Sequence, residues 1–434
     1  MPPVFMEVNN MSRKSALDFL ERHGMTPGLI KPMAEAEKMA AEMERGLAGR
    51  GGSLPMIPTY LCLEGAMPQG EPVAVIDAGG TNFRSALVRF EKGGCRVEAL
   101  QKRKMPGTDK PAAWEEFISF VADGIEPLMD RTDRIGFCFS YSAEITPEID
   151  GRIIRIDKEV MVTGSAGQLV GASLIAELAR RGIRGKKIVI INDTAAVLLG
   201  GTALLDRDSY SGFIGQVSGT GTNTCCVLPA GRIGKLGVSG ETGMIINLES
   251  GMYNGISGGD FDRLLDSQSN NPGLKKLEKL TAGVYLGELC RLMLMAAAEE
   301  GLLSPAAGRK VRGLERIDSA VIDAWGSGEN LEEVCATAED EEFVKTICLA
   351  VFERSARCMC VNLTALLLLT GAGRERPACI CAEGSLVQKG RIYRPMLEKL
   401  LARCAGEELG RKYDFRIGQE TTLPGSAAAA LLNI

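Results

Sequence analysis

Three short segments of this sequence combine residue types that suit phosphoryl chemistry. The first is Asp77-Ala78-Gly79-Gly80-Thr81-Asn82-Phe83-Arg84. Paired glycines after a strand let backbone N–H groups approach phosphate oxygens without an intervening Cβ. Thr81 and Asn82 add polar side chains, and Asp77 can orient Mg²⁺ through its water shell. The second is Gly219-Thr220-Gly221-Thr222-Asn223, again set between two strands. The third is Asn192-Asp193-Thr194, after the apolar run Lys187-Ile188-Val189-Ile190-Ile191. Ligands gather at the carboxyl ends of strands in α/β sheets. There Asp193 can take the proton from an attacking hydroxyl, and Asn192 can hold a hydroxyl of the acceptor. Each segment has a plainer reading on its own: a hairpin turn for the first two, a helix N-cap for the third. Two phosphate turns with one carboxylate together point to phosphoryl transfer to an alcohol.

These segments need a scaffold that brings them together. Strands are expected at Val73–Asp77, Ser85–Phe90, after Gly94, at Ile135–Ser140, Lys187–Ile191, Gly212–Val217, Thr224–Leu228 and Ala378–Ala382. Helices are expected over about 12–48 with a break at Thr26-Pro27-Gly28, and over 112–130, 195–205, 260–303 and 341–369. Pro229-Ala230-Gly231-Arg232 reads as a hairpin, and Gly425 to Ala430 opens a closing helix. The order strand, glycine turn, strand occurs twice, which predicts two related α/β domains with a cleft between them. Gly255-Ile256-Ser257-Gly258-Gly259 has the letters of a nucleophile elbow. It lacks a credible histidine partner and reads as a flexible surface loop.

Bulk composition narrows the function classes. With 434 residues the chain exceeds one small core. Its 50 basic and 55 acidic residues give a net charge of −5, which is no nucleic-acid footprint. The 13 cysteines lie mostly in apolar runs and read as reduced core residues. His23 is the one histidine, so neither HExxH nor a histidine metal cluster can form. There is no G-x-x-x-x-G-K-[ST] loop. The run Val361–Leu369 is shorter than the ~20 residues of a membrane span and reads as a buried helix. No signal pattern opens the chain. The expectation is a cytoplasmic protein, monomer or homodimer, with no nucleic-acid or membrane partner.

Taken together, these segments resemble the eukaryotic-type hexokinase and glucokinase family. The resemblance runs through Met56-Ile57-Pro58-Thr59-Tyr60, Asp77–Arg84, Phe139-Ser140-Tyr141-Ser142, Asn192-Asp193-Thr194, Gly219–Asn223, Asn247-Leu248-Glu249, Asn271-Pro272-Gly273 with Glu278, and Glu383-Gly384-Ser385. It implies an α/β fold of two actin-like ATPase (ribonuclease H-like) domains flanking a cleft. The expected division is an N-terminal helical segment, 1–66, packing with the large domain; a small domain, 67–194, completed by 421–434; and a large domain, 195–420. The implied activity is ATP-dependent phosphorylation of a hexose at its 6-hydroxyl, with ATP and Mg²⁺. By resemblance, Asp193 is the general base, with Lys158 beside it. Ser140, Asp157, Lys158, Asn192, Asn223, Glu249 and Glu278 contact the sugar. Asp77, Gly79, Gly80, Thr81, Asn82, Arg84, Gly219, Thr220 and Gly221 handle Mg-ATP phosphates, with Gly384 and Ser385 near the nucleoside. Two departures fall in the acceptor loop: Ser142 stands where the family has proline, and Asp157-Lys158-Glu159 replaces Thr-Lys-Gly. They leave glucose, another hexose and an amino sugar open as the preferred acceptor. A kinase of the same superfamily for another alcohol, or a non-catalytic sugar and ATP binder, is the alternative.

Overall fold

The structure is a computed structural model that describes residues 3–156 and 160–434, with side chains from residue 11 onward. Helices α1 (Pro3–Arg22) and α2 (Pro32–Leu47) come first, then β1 (Ile57–Cys62), β2 (Val73–Gly79), β3 (Asn82–Glu91) and β4 (Gly94–Lys104). Next are β5 (Ala112–Ala113), α3 (Trp114–Ile125), β6 (Arg134–Phe139), β7 (Ser142–Ile145), β8 (Gly151–Arg155), β9 (Val162–Thr163), α4 (Val170–Arg180), β10 (Lys187–Ile191) and α5 (Asp193–Thr202). The second half opens with β11 (Gly212–Ser218), β12 (Thr222–Pro229) and β13 (Gly243–Asn247). A helical stretch follows: α6 (Asp260–Gln268), α7 (Lys276–Thr281), α8 (Gly283–Glu299), α9 (Pro305–Arg312), α10 (Ser319–Gly326) and α11 (Ala338–Thr370). Then come β14 (Ala378–Glu383), α12 (Ser385–Gln388), α13 (Tyr393–Leu401), β15 (Tyr413–Ile417) and α14 (Thr422–Asn433).

Two sheets carry the architecture. One has the order β10-β6-β2-β3-β4, the other β1-β13-β12-β11-β14-β15. Each has an antiparallel meander, β2-β3-β4 or β11-β12-β13, flanked by two parallel strands, β6 and β10 or β14 and β15. The duplicated glycine turns are therefore the first turns of two equivalent meanders. Strands β2 and β6 are almost wholly apolar and buried because helices cover both faces of their sheet.

Helices α5 and α14 lie between the sheets. α5 packs on β11, β12 and β14, while α14 packs on β2, β6 and β10, and the two helices pack on each other. Glycine makes this possible. A Cβ on Gly425 of α14 would collide with the carbonyl oxygen of Ala196, and one on Gly200 of α5 with that of Thr421. α1 and α2 pack against α11 in the largest core, and β1 adds an edge to the second sheet.

Some local expectations change. Helix α1 begins at Pro3 rather than near Ser12. Pro229–Arg232 is no tight hairpin: β12 and β13 do pair, but two 3₁₀ turns, Ala230–Arg232 and Gly234–Leu236, lengthen the link. The Gly255–Gly259 segment is packed, not a bare surface loop. Ile256 is buried, a Cβ on Gly259 would meet Met25, and Asp262 accepts from the Gly259 N–H at 2.7 Å to start α6. Strands β1, β7, β8, β13 and β15 had no clear signature. In β15 the apolar residues alternate with polar ones and are only half-buried, the pattern of an edge strand.

Candidate active site

The first glycine turn joins β2 to β3 with Gly80 at φ 60°. Asp77 and Arg84 stand opposite each other in the ladder. Arg84 donates to Asp77 through both Nε (2.9 Å) and Nη2. Burial would lower the Arg84 guanidinium pKa, but the charge and hydrogen bonds of Asp77 raise it. Thr81 and Asn82 sit at the accessible tip. Gly79 faces Ser140, whose hydroxyl would lie 3.1 Å from a Cβ there, and the Tyr141 hydroxyl holds the Gly80 carbonyl at 2.9 Å.

The second turn, Gly219–Gly221, is closed by the Gly219 N–H on the Gly221 carbonyl at 3.0 Å. β14 runs parallel beside β11, so the Gly384–Ser385 corner arrives next to it. Gly384 has φ 119°, and a Cβ on it would collide with Ser218. Gly219 in turn lies close to the Ser385 N–H. The start of α14 ties these parts together. Thr421 donates from its N–H (3.1 Å) and its hydroxyl to Glu383, while Thr422 accepts from Arg84 at 3.4 Å. Thr421 and Thr422 carry no sequence signal beyond a threonine pair ahead of a small-residue helix.

At the end of β10, Asn192 caps α5 by accepting the Thr194 N–H at 2.8 Å. The capping role open to Asp193 or Thr194 therefore falls to Asn192. Asp193 keeps its carboxylate off the backbone amides and accepts only the Thr194 hydroxyl, at 3.1 Å, among the described residues. Asn223 on β12, Asn247 at the end of β13 and Glu249 form a network. Asn247 donates to Glu249 at 2.8 Å, and Asn223 donates to Asn247 at 2.8 Å and to Glu249 at 3.3 Å. Glu278, on α7, places its Oε1 3.2 Å from where a Cβ of Gly221 would stand. The Glu278 carboxylate thus borders the second glycine turn.

Burial pushes the Glu249 carboxyl above the usual range. The Asn247 hydrogen bond opposes this, the charges of Asp193 and Glu278 add to it, and Lys275 offsets it. Three carboxylates therefore share one field. Such a site suits a neutral polyhydroxyl ligand, whose O–H groups donate to each of them. Asn247 and Lys275 were not singled out as site residues. Asn247 lies two residues before Glu249. Lys275 follows the Asn-Pro-Gly turn in a left-handed conformation, φ 51°, 3.5 Å from Glu278. Ser140 lies by the first glycine turn, and no hydrogen bond among the described residues joins it to the carboxylates. Asp157 and Lys158 lie outside the described residues.

Family profiles described as hexokinase match residues 30–203 and 213–432. A hexokinase-2 of Oryza sativa subsp. japonica is 28% identical over 458 residues, covering 94% of this chain and 89% of its own length. A hexokinase-1 of Nicotiana tabacum is 28% identical over 479 residues, covering 98% and 94%. The solved hexokinase of Schistosoma mansoni complexed with glucose shares the fold at a TM-score of 0.79 and 20% identity, covering 98% of this chain and 99% of that one.

Proposed function

The chain belongs to the hexokinase family, and on that premise we propose that it transfers the γ-phosphoryl group of ATP to the 6-hydroxyl of a hexose. One observation carries the assignment of roles: Glu278 lies against Gly221 and Gly251, Asn223 of β12 reaches Glu249, and Cys225 of the same strand meets the carbonyl of Thr194, next to Asp193. Asp193 takes the hydroxyl proton as the sugar oxygen bonds to the γ-phosphorus and the bond to the ADP oxygen breaks. Its freedom from the capping role supports this. Glu249, Glu278 and Asn223 hold the other hydroxyls. Backbone N–H groups of the two turns hold the phosphates, and Gly384–Ser385 borders the nucleoside.

Mg²⁺ fits this site as a companion of the nucleotide. Among the described residues no three His, Cys, Asp or Glu side chains form a metal cage. Asp77 gives one carboxylate oxygen to Arg84, which leaves the other for a water of the ion's shell. When bound, Mg²⁺ supplies charge neutralisation on the phosphates. Glucose or a close analogue is the proposed acceptor; support comes from the shared fold of the hexokinase solved with glucose. A coupled ADP-release assay over hexoses and amino sugars tests this, and turnover of none of them would overturn it. Asp193→Ala is expected to lower kcat by about 10²–10⁴-fold or more while ATP still binds. An active variant would remove the base assignment. Changing Asp157 to Thr is expected to shift the preference within the panel.

A further inference from the structure

Helix α7 serves two parts of the site at once. Glu278, in its first turn, belongs to the acceptor cluster. Thr281, its last residue, is fully buried beneath the second glycine turn. The hydroxyl oxygens of Thr281 and Thr222 lie 3.0 Å apart, and that of Thr281 lies 2.6 Å from the Leu277 carbonyl oxygen. A carbonyl only accepts, and a threonine hydroxyl has one proton. Thr281 therefore donates to Leu277, and Thr222 donates to Thr281. Just past the helix, the Gly283 N–H donates to the Gly219 carbonyl at 2.8 Å. Ser355 of α11 holds the Thr281 carbonyl from behind at 3.2 Å. Gly219, Gly221 and Thr222 are thus each tied to α7 or its exit.

We infer that Thr281 is a positioning residue that couples the acceptor carboxylate Glu278 to the phosphate turn Gly219–Gly221. A hexose drawing on Glu278 displaces α7 slightly. Because the Thr281–Thr222 bond is buried, breaking it leaves a hydroxyl unsatisfied, so the turn moves with the helix instead. Hexose occupancy then changes nucleotide affinity, and by linkage nucleotide occupancy changes hexose affinity by the same factor. This inference rests on the hexose kinase reading.

The test measures binding of a non-hydrolysable ATP analogue by calorimetry, with and without saturating glucose or the best acceptor of the panel. The ratio of the two Kd values is the coupling. Thr281→Val removes the hydroxyl at nearly constant shape, Thr222→Val removes it from the other side, and Thr281→Ser keeps it. Losing one buried hydrogen bond is expected to lower the coupling about 3- to 10-fold in both valine variants. The KM for ATP should rise with little change in kcat, and the serine variant should stay near the wild type. If Thr281→Val does not fold, Thr222→Val decides. A wild-type ratio of one, or an unchanged ratio in the valine variants whatever their melting temperature, would overturn the inference. Wild-type protein that phosphorylates no hexose would instead overturn the functional reading.

Discussion

Replacing Asn247 with leucine isolates the network that holds Glu249. The substitution keeps the branched shape and deletes three hydrogen bonds: the donation to the Glu249 carboxylate at 2.8 Å, the acceptance from Asn223 at 2.8 Å and a longer acceptance from the Glu249 N–H at 3.4 Å. A hydrogen bond to a charged group contributes about 1.5–3 kcal/mol, and a neutral one about 1 kcal/mol. If half of the first reaches the bound state, the KM for hexose rises about 3- to 12-fold, at 1.4 kcal/mol per decade. The KM for ATP should stay within about twofold. Acidity supplies a second readout. Burial already raises the Glu249 carboxyl, and the Asn247 hydrogen bond is the foremost influence opposing that rise. Glu249 accepts hydroxyl protons at both oxygens when ionised and gives up part of that capacity when protonated. Hexose affinity therefore falls as pH drops through the raised pKa, and N247L moves this acid limb to higher pH. The stability sign agrees. A carboxyl raised in the folded state makes folding take up protons, so stability falls as pH rises from the unfolded to the folded pKa. N247L extends that loss, so its deficit in Tm should be larger at pH 8 than at pH 5. Steady-state kinetics from pH 5 to 9 with a coupled assay measure the KM values and the acid limb, and thermal unfolding at pH 5 and pH 8 measures the Tm deficit. An unchanged hexose KM together with an unmoved acid limb would refute the reasoning.

Three further outcomes follow from packing and charge. His23 bridges Asp260 at 2.9 Å and Glu300 at 2.8 Å, with Arg263 and Arg22 on the outer sides of those carboxylates. A neutral imidazole has one N–H, so both contacts need the charged ring. Burial lowers its pKa, but the hydrogen bonds and charges of Glu300 and Asp260 outweigh this and raise it above 6.5. The stabilisation is full below pH 6.5 and is lost as pH rises through the folded pKa. The Tm gap between wild type and His23→Gln should shrink from pH 6 to pH 8.5, and a constant gap would contradict it. Arg354→Met leaves Asp262 buried without its partner and should cost about 3–5 kcal/mol in chemical unfolding, with D262L/R354M recovering part of it. Gly425→Ala forces α14 away from Ala196 and should lower stability by about 1–3 kcal/mol while raising KM for ATP, because the Thr421–Glu383 and Thr422–Arg84 contacts sit at the same helix start.

The local parts of the site were legible in the sequence because local chemistry makes them. A glycine pair after an apolar run turns where it stands, as Gly79–Gly80 and Gly219–Gly221 do. The β10 run places Asn192-Asp193-Thr194 at a strand end without reference to anything distant. Repetition of the turn also made the duplicated meander readable. The edge strands β1 and β15 stayed hidden because their pairing partners, β13 and β14, lie far along the chain and half their residues face outward. The sequence could not say which of Asn192, Asp193 or Thr194 caps α5, because all three can and only the folded strand end selects among them. Tertiary structure alone decided that Glu278 rests on Gly221, that Asn223 reaches Asn247 and Glu249, and that α14 reaches Glu383 and Arg84. Those contacts join segments separated by tens to hundreds of residues. Their geometry is set by how closely α5, α7 and α14 pack, which no local pattern encodes.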